Sequence, residues 1–195
     1  MIYFTSDLHF GHRNVIRFDN RPFSNVEEMD QALIARWNAK VKDTDTVYLL
    51  GDVSWYDDQK TREILSGLHG RKILIQGNHD RVHGKVKGCY DEVCSYKELS
   101  LPDNIHVVLC HYPIVFFNRH YYGAYMLYGH VHNSQEWDMT EKHKRELQQL
   151  GIQCNLFNVG CMVCNYEPVT LEEIIKQEER KEIDASKRET KPHYC

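Results

Sequence analysis

Residues 73–80, ILIQGNHD, begin as an apolar run typical of a buried strand and end in polar side chains. Such side chains are buried only where they have hydrogen-bonding or charged partners. The first three residues are apolar and include β-branched side chains, which favours a strand. Directly after Gly77 come an amide, an imidazole and a carboxylate, from Asn78, His79 and Asp80. An unpaired polar group is costly to bury. The break therefore predicts a strand whose C-terminal end carries a polar site.

The same pattern recurs along the chain. Short apolar runs end in Asp, Asn or His, and several of them also have a glycine that suits a sharp turn. In α/β folds, ligands bind at the carboxyl ends of the strands. The polar residues that follow these runs are therefore predicted to converge. The predicted strands are residues 2–5, 47–50, 73–75, 107–110, 125–128 and 156–159.

Helical patterns fill the gaps between the predicted strands. A capping box at residues 24–27 opens a run with apolar residues at helical spacing to residue 41, and residues 61–68 predict a shorter helix. Strands that alternate with helices predict an α/β fold. We predict one domain over residues 1–170, with a polar helical insert at 134–150. A second capping box at Thr170 opens a charged C-terminal helix and tail over 171–195.

Composition limits the partners. The formal net charge is −4, so no basic field indicates nucleic acid or an anionic membrane. No apolar run approaches the roughly 20 residues of a membrane-spanning helix. The N-terminal stretch MIYFTSDLHFGH is too short and too polar for a secretory signal. We expect a cytoplasmic protein whose oligomeric state the sequence leaves open.

The polar residues at the strand ends comprise two carboxylates, one amide and four imidazoles. Without a cation the carboxylates repel one another and the buried polar groups go unsatisfied. Seven ligands are too many for one four-coordinate zinc, so they suit two ions that share a bridging carboxylate. Mixed oxygen and imidazole donors fit Mn²⁺, Fe or Zn²⁺, with Ni²⁺ and Co²⁺ also open, and argue against Ca²⁺ and Mg²⁺. The set is Asp7, His9, Asp52, Asn78, His111, His130 and His132.

The order of these blocks resembles a known superfamily. D-x-H, G-D, G-N-H-D, a lone H and G-H-x-H follow one another between residue 5 and about residue 165. This arrangement resembles the calcineurin-like metallophosphoesterases, and most closely their small prokaryotic and phage phosphoesterases. The resemblance implies a four-layer α/β/β/α sandwich with two mixed β-sheets.

The resemblance also implies a role for each block. A water or hydroxide that bridges the two metals would attack the phosphate ester. His79 would donate a proton to the leaving oxygen or bind the phosphate, and Asp80 would orient His79. The resemblance assigns the first metal to Asp7, His9 and His132, the second to Asn78, His111 and His130, and the bridge to Asp52.

The second block departs from the protein phosphatases of this superfamily, which continue it as G-D-x-x-D-R-G. Here Trp55 and Tyr56 stand in place of the Asp and Arg, and the third block ends in Asp80 where those enzymes have Glu. The acid partner of His79 and an arginine that grips phosphate are both missing. We therefore expect a phosphodiesterase and not a protein phosphatase.

Residues outside the blocks are candidates for contact with substrate. His12 lies just past the first ligand pair, where it would touch phosphate, buttress His9 or pack in its loop. Arg13, Arg21 and Arg119 are each able to grip phosphate, with a solvated surface role as the alternative. The aromatic segment at 116–122 would stack on a base or belong to the core. The insert at 134–150 would be a lid or a peripheral helix.

The leading hypothesis is a dinuclear-metal phosphohydrolase, a phosphodiesterase that acts on a small phosphate ester or nucleotide. One alternative is a nuclease or nucleic-acid end-processing enzyme, which the acidic balance disfavours because phosphate contacts need Lys and Arg. The other alternative is a metal-stabilised binding module without turnover.

Overall fold

The first of two four-stranded β-sheets is parallel throughout. The computed structural model describes residues 1–189, and this sheet has the order β1 (Ile2–Thr5), β2 (Thr46–Leu49), β3 (Arg71–Ile75) and β4 (Glu92–Cys94). Every pairing between neighbouring strands is parallel. The expectation of two mixed sheets is therefore wrong for this sheet, because helical or long connections return the chain to the same end before each strand.

The second sheet is mixed, as expected. It has the order β5 (Tyr96–Leu101), β6 (Ile105–Cys110), β7 (Tyr125–Tyr128) and β8 (Asn155–Asn158). β5 pairs with β6 in antiparallel register through a short turn, whereas β6, β7 and β8 run parallel. The protein is thus an α/β fold with two four-stranded sheets.

The strands β4 and β5 do not appear in the sequence prediction. Each is the edge strand of its sheet, and the residues of β5 alternate between exposed and half-buried. Its sequence YKELSL contains no apolar run. An edge strand that faces solvent on one side needs few apolar residues, so the prediction missed both strands.

Five α-helices complete the fold over the described residues 1–189. The predicted insert forms α4, and the capping box at Thr170 opens α5 as predicted, with the Glu173 carboxylate accepting from the Thr170 backbone N–H. The cap of α2 is Asn25, one residue after the predicted Ser24, and it accepts from the Glu28 backbone N–H. Residues 190–195 of the predicted tail lie outside the described residues. The helices are α1 (Arg13–Phe18), α2 (Val26–Lys40), α3 (Asp58–Gly67), α4 (Gln135–Gln149) and α5 (Leu171–Glu189).

The central strands are buried on both faces. In β2, Val47 and Leu49 pack with α2 and α3, whereas Tyr48 faces the second sheet. In β7, Leu127 faces the first sheet, and Met126 lies in the hydrophobic cluster that contains the α4 side chain Leu147. Successive strand side chains point to opposite faces, so this alternation yields the layer order helix, sheet, sheet, helix.

The carboxyl ends of the two sheets adjoin. A bridge joins Ser6, just past β1, to Gly160, just past β8. The Asp7 backbone N–H donates to the Gly51 carbonyl, and the Gly129 N–H donates to the His111 carbonyl. The turns that carry the polar blocks therefore meet at one edge of the molecule.

Among the described residues, no helix combines the length and the apolar character that crossing a membrane requires.

The core between the sheets should carry much of the stability. Leu127 is fully buried in it. We expect Leu127→Ala to lower the free energy of unfolding by about 2–5 kcal/mol, through lost burial and the cavity left behind. Denaturant titration followed by circular dichroism measures the loss. Leu150→Ala, at a leucine that is 75% exposed, is the matched control and should change it little. Equal effects of the two substitutions would contradict the layer assignment.

Candidate metal centre

The structure brings all seven predicted ligands to the shared carboxyl edge of the sheets. Asp7 and His9 follow β1, Asp52 follows β2, Asn78 follows β3, His111 follows β6, and His130 and His132 follow β7. Two groups of acidic and imidazole side chains form there, and within each group the possible ligand atoms all lie within 4.8 Å of one another. The first ligand group is Asp7, His9 and His132, and the second ligand group is Asp52, His111 and His130.

In the first ligand group, two ring nitrogens and a carboxylate oxygen face one another. The Nε2 atoms of His9 and His132 are 3.1 Å apart, and His132 Nε2 is 3.5 Å from Asp7 Oδ1. Asp7 and His9 are buried. Burial raises the pKa of Asp7 and lowers the pKa of His9, because both charged forms lose their hydration.

Asp52 lies between the two groups. Its Oδ2 atom is 3.6 Å from His111 Nε2 in the second ligand group and 3.8 Å from His9 Nε2 in the first. His111 Nε2 is also 3.1 Å from Asn78 Oδ1, which adds Asn78 to the second side of the site. One carboxylate oxygen therefore faces a nitrogen from each group, which is the position of a bridging ligand.

The hydrogen bonds of His111 test whether this site suits a cation. His111 Nδ1 is 2.6 Å from the Leu50 carbonyl oxygen, which accepts only, so Nδ1 carries the hydrogen. In the neutral ring Nε2 then has a lone pair, and it faces the oxygens of Asn78 and Asp52, which are also acceptors. A shared cation satisfies all three atoms at once, and this tautomer is the one that a metal-bound histidine needs. The residues fit a metal ion.

The backbone is strained where the ligands sit. Five of the seven predicted ligands have left-handed φ values between 50° and 69°, a region that residues other than glycine seldom adopt. Such conformations persist only where the surroundings impose them, and they cluster at functional sites. The five are Asp7, His9, Asp52, His130 and His132.

Close packing of two turns requires glycine at position 129. A Cβ atom there would lie 2.5 Å from Asp7 Oδ2, which no real side chain tolerates. The close approach lets the backbone N–H of His130 donate to both carboxylate oxygens of Asp7, at 3.2 and 3.1 Å. Gly129 thus connects the β1 turn to the β7 turn.

A buried ion pair behind the first ligand group was not predicted. Arg21 donates to the Asp7 and Leu8 carbonyls at 2.9 and 3.0 Å and pairs with Asp19 at 2.8 Å. Asp19 Oδ1 lies 2.7 Å from His132 Nδ1. Burial lowers the pKa of His132, but the hydrogen bond to Asp19 and the negative charges of Asp7 and Asp19 together outweigh burial, so the net shift is upward. Arg21 has no access to phosphate, so the interpretation of Arg21 as a phosphate ligand is wrong.

Sequence reasoning had no signal for this pair, because neither residue follows a strand. Asp19 ends α1, and Arg21 lies in the following turn. The pair becomes recognisable only when the fold brings it behind the Asp7 turn.

His79 and Asp80 follow Asn78 and have different environments. His79 is exposed, and its backbone N–H donates to Asp52 Oδ1 at 3.0 Å. The Asp80 carboxylate accepts from the backbone N–H groups of Asp52, Val53 and Gly77 at 2.8–2.9 Å. Asp80 therefore ties the β2 turn to the β3 turn, and this corrects the prediction that it orients the His79 ring.

His12 packs against Trp55 at the rim of the site. Their rings stack with centroids 4.2 Å apart and an angle of 13° between planes, and the Trp55 centroid is 4.5 Å from that of His79. Tyr56, the other departure from the phosphatase pattern, donates its hydroxyl to Asp30. Arg13 is exposed at the start of α1, next to His12, and its contact with substrate stays a prediction.

Arg119 is remote from the candidate centre. Its guanidinium is 2.6 Å from His106 Nε2, near the start of β6. His106 precedes His111 by five residues, about 16 Å along an extended strand. The prediction that Arg119 binds substrate is therefore wrong. An aromatic residue that the prediction missed, Tyr112, does adjoin the centre, with its ring centroid 4.6 Å from that of His130.

The comparisons with known proteins give relatives and a fold match. No family model matches the chain. It is 36% identical over 184 residues to the uncharacterized protein MJ1445 of Methanocaldococcus jannaschii, covering 93% of each chain. The gene 66 protein of Mycobacterium phage L5 is 31% identical over 160 residues, covering 67% of this chain and 77% of the phage protein. That of Mycobacterium phage D29 is 30% identical over 159 residues, covering 68% and 78%.

A solved structure has the same fold. The protein of unknown function AQ665 from Aquifex aeolicus superposes with a TM-score of 0.70 and 26% identity, over 91% of this chain and 98% of that one. The match extends over nearly the whole of both chains, so it includes both sheets. With the sequence relatives, it shows that this chain belongs to the family of the archaeal protein MJ1445 and the mycobacteriophage gene 66 proteins.

Proposed function

We propose that the protein is a dinuclear-metal phosphohydrolase of the calcineurin-like metallophosphoesterase type, a phosphodiesterase that acts on a small phosphate ester or nucleotide. The observation that carries the proposal is the position of Asp52 Oδ2 between His9 Nε2 and His111 Nε2, at 3.8 and 3.6 Å. One shared carboxylate between two donor groups is what a pair of cations requires. The order of the ligand blocks in the sequence supports the same conclusion.

The donor chemistry supports Mn²⁺, Fe or Zn²⁺ as the ions. Two cations, when bound, supply positive charge that polarises a phosphate ester and makes water a nucleophile at neutral pH. Ca²⁺ and Mg²⁺ prefer ligand sets made only of oxygen atoms, so the imidazole nitrogens on both sides of the site disfavour them. The first ion would be held by Asp7, His9 and His132, the second by Asn78, His111 and His130, and Asp52 would contact both.

His79 is the proposed general acid. Its exposed ring stands beside the first ligand group, 6.1 Å between centroids from His9, and the hydrogen bond of its backbone to Asp52 fixes its position. A histidine there is able to give a proton to the leaving oxygen as the P–O bond breaks. Trp55 packs against the ring and limits where it points.

The small number of cationic side chains at the centre favours a diester. A phosphodiester carries one negative charge at neutral pH, whereas a monoester carries close to two. Arg21 is buried behind Asp7 and Arg119 is remote, so neither is available to a second phosphate charge. The net charge of −4 also disfavours a nuclease, because nucleic-acid backbones are bound by Lys and Arg.

The proposal predicts metal-dependent turnover that Asp52 controls. With Mn²⁺, the protein should hydrolyse bis(p-nitrophenyl) phosphate, and Asp52→Asn should lower kcat/KM by more than about 100-fold. Loss of a residue that only hydrogen-bonds a metal ligand typically costs up to about 100-fold, so loss of a bridging ligand should cost more. Release of p-nitrophenol measures the rate. Asp103→Asn, at an exposed turn that precedes β6, is the control and should leave the rate unchanged.

Two results would contradict the proposal. If the wild-type protein binds two Mn²⁺ ions but turns over no diester with Mn²⁺, Fe²⁺ or Zn²⁺, the protein is a metal-stabilised binding module. If Asp52→Asn and Asp103→Asn have equal rates, the activity arises elsewhere.

The proposal also predicts an effect of Asp19 on metal affinity. Asp19→Asn removes the charge that orients His132 and should weaken binding of one of two Mn²⁺ ions by about 10–100-fold. Isothermal titration calorimetry gives the stoichiometry and both affinities. Asp43→Asn, at an exposed turn before β2, is the matched control. Unchanged affinities in Asp19→Asn would remove this residue from the proposed centre.

A further inference from the structure

A cavity of about 610 Å³ opens beside the candidate centre. It shares Asn78 and His79 with the centre and extends from them toward α3 and the segment before β4. Its apolar wall includes Val82, Val86 and Tyr90. This volume falls in the range of sites that bind small organic molecules. A phosphate at the centre would have one of its substituents next to His79, at the mouth of this cavity.

Trp55 supplies an aromatic surface to the cavity. Its side chain is 46% exposed although it stacks on His12. Trp55 lines the cavity and His12 does not, so the indole contributes to the cavity wall while it stacks on His12. Large exposed tryptophans are costly in water and supply contact area at low entropic cost when a ligand covers them. Tyr56 also lines the cavity, but its hydroxyl is engaged by Asp30.

The charges at the rim select against a second anionic group. Asp57 and Asp58 stand at the start of α3, and Arg81 and His83 also line the cavity. The Asp57 carboxylate already accepts the Lys60 backbone N–H of that helix. His83 Nδ1 is 3.7 Å from an oxygen of Asp58. Because two aspartates offset the charge of Arg81, the rim has no net positive charge. The rim therefore suits an uncharged group with hydrogen-bonding edges better than a diphosphate or a nucleic-acid strand.

We propose that this cavity binds the leaving alcohol of the substrate and that this alcohol carries a flat, uncharged ring, as a nucleoside or an aryl alcohol does, with the ring packed against Trp55. The inference rests on the proposed phosphohydrolase function and adds the substrate class to it. Trp55 is then a specificity-determining residue. His79, which lines the same cavity, is on the side where the leaving oxygen would take up its proton.

Paired ligands that differ only in the ring test the proposal. Adenosine 5′-monophosphate and ribose 5-phosphate carry the same phosphate, and calorimetry with the Mn²⁺-loaded full-length protein measures their Kd values. We expect the wild type to prefer the nucleotide by about tenfold or more, and Trp55→Ala to reduce the preference to less than about threefold. Trp55→Phe keeps an aromatic face and should keep most of the preference.

Tyr122→Ala is the matched control, because this aromatic is 88% exposed and its loop contacts Asn155 at the start of β8, away from the carboxyl edge. It should leave the preference unchanged. Circular dichroism verifies that the Trp55 variants are folded, and ribose 5-phosphate affinity shows that their phosphate site is intact.

The failures are distinguishable. Diester hydrolysis with no preference for the nucleotide in the wild type, or a preference that Trp55→Ala leaves intact, overturns the inference and leaves the proposed function standing. A protein that neither hydrolyses bis(p-nitrophenyl) phosphate nor binds either ligand overturns both. Equal losses in Trp55→Ala and Tyr122→Ala also overturn the role of the cavity.

Discussion

Ring nitrogens and side-chain oxygens able to bind a cation come together from two sheets at one edge of this protein. The Nε2 atoms of His9 and His132 are 3.1 Å apart, and His111 Nε2 faces an oxygen of Asn78 at the same distance. Burial removes the water that would otherwise relieve this. Cations would reconcile such neighbours, which is why we propose that this edge binds two of them.

The fold maintains the crowding at a cost. Five of the predicted ligands have left-handed backbone, Gly129 lets the β7 turn approach Asp7, and Asp80 ties the β2 turn to the β3 turn. Behind them, Arg21 connects the Asp7 carbonyl to Asp19 and through it to His132. Strained backbone and buried charge both lower stability, so we would not expect them at an edge of the sheets that had only a structural role.

Some of this could be predicted from sequence and some could not. The runs at 2–5 and 125–128 are strands with those bounds, and the seven ligands do converge, because an apolar run that breaks into Asp, Asn or His is a local signal. The edge strand β5 was missed because half-exposed strands have little apolar signal. Asp19 and Arg21 act across the fold, and Arg119 is near His106, so their positions depend on tertiary structure that one-dimensional patterns do not contain.

Anomalous diffraction from crystals soaked in Mn²⁺ tests the central claim most directly. The account predicts two anomalous peaks per chain, about 3.5–4 Å apart, one among Asp7, His9 and His132 and the other among Asn78, His111 and His130, with an oxygen of Asp52 in contact with both. Crystals that diffract well in abundant Mn²⁺ and have no anomalous density among these residues would contradict it, as would a single peak that leaves Asp52 uncoordinated.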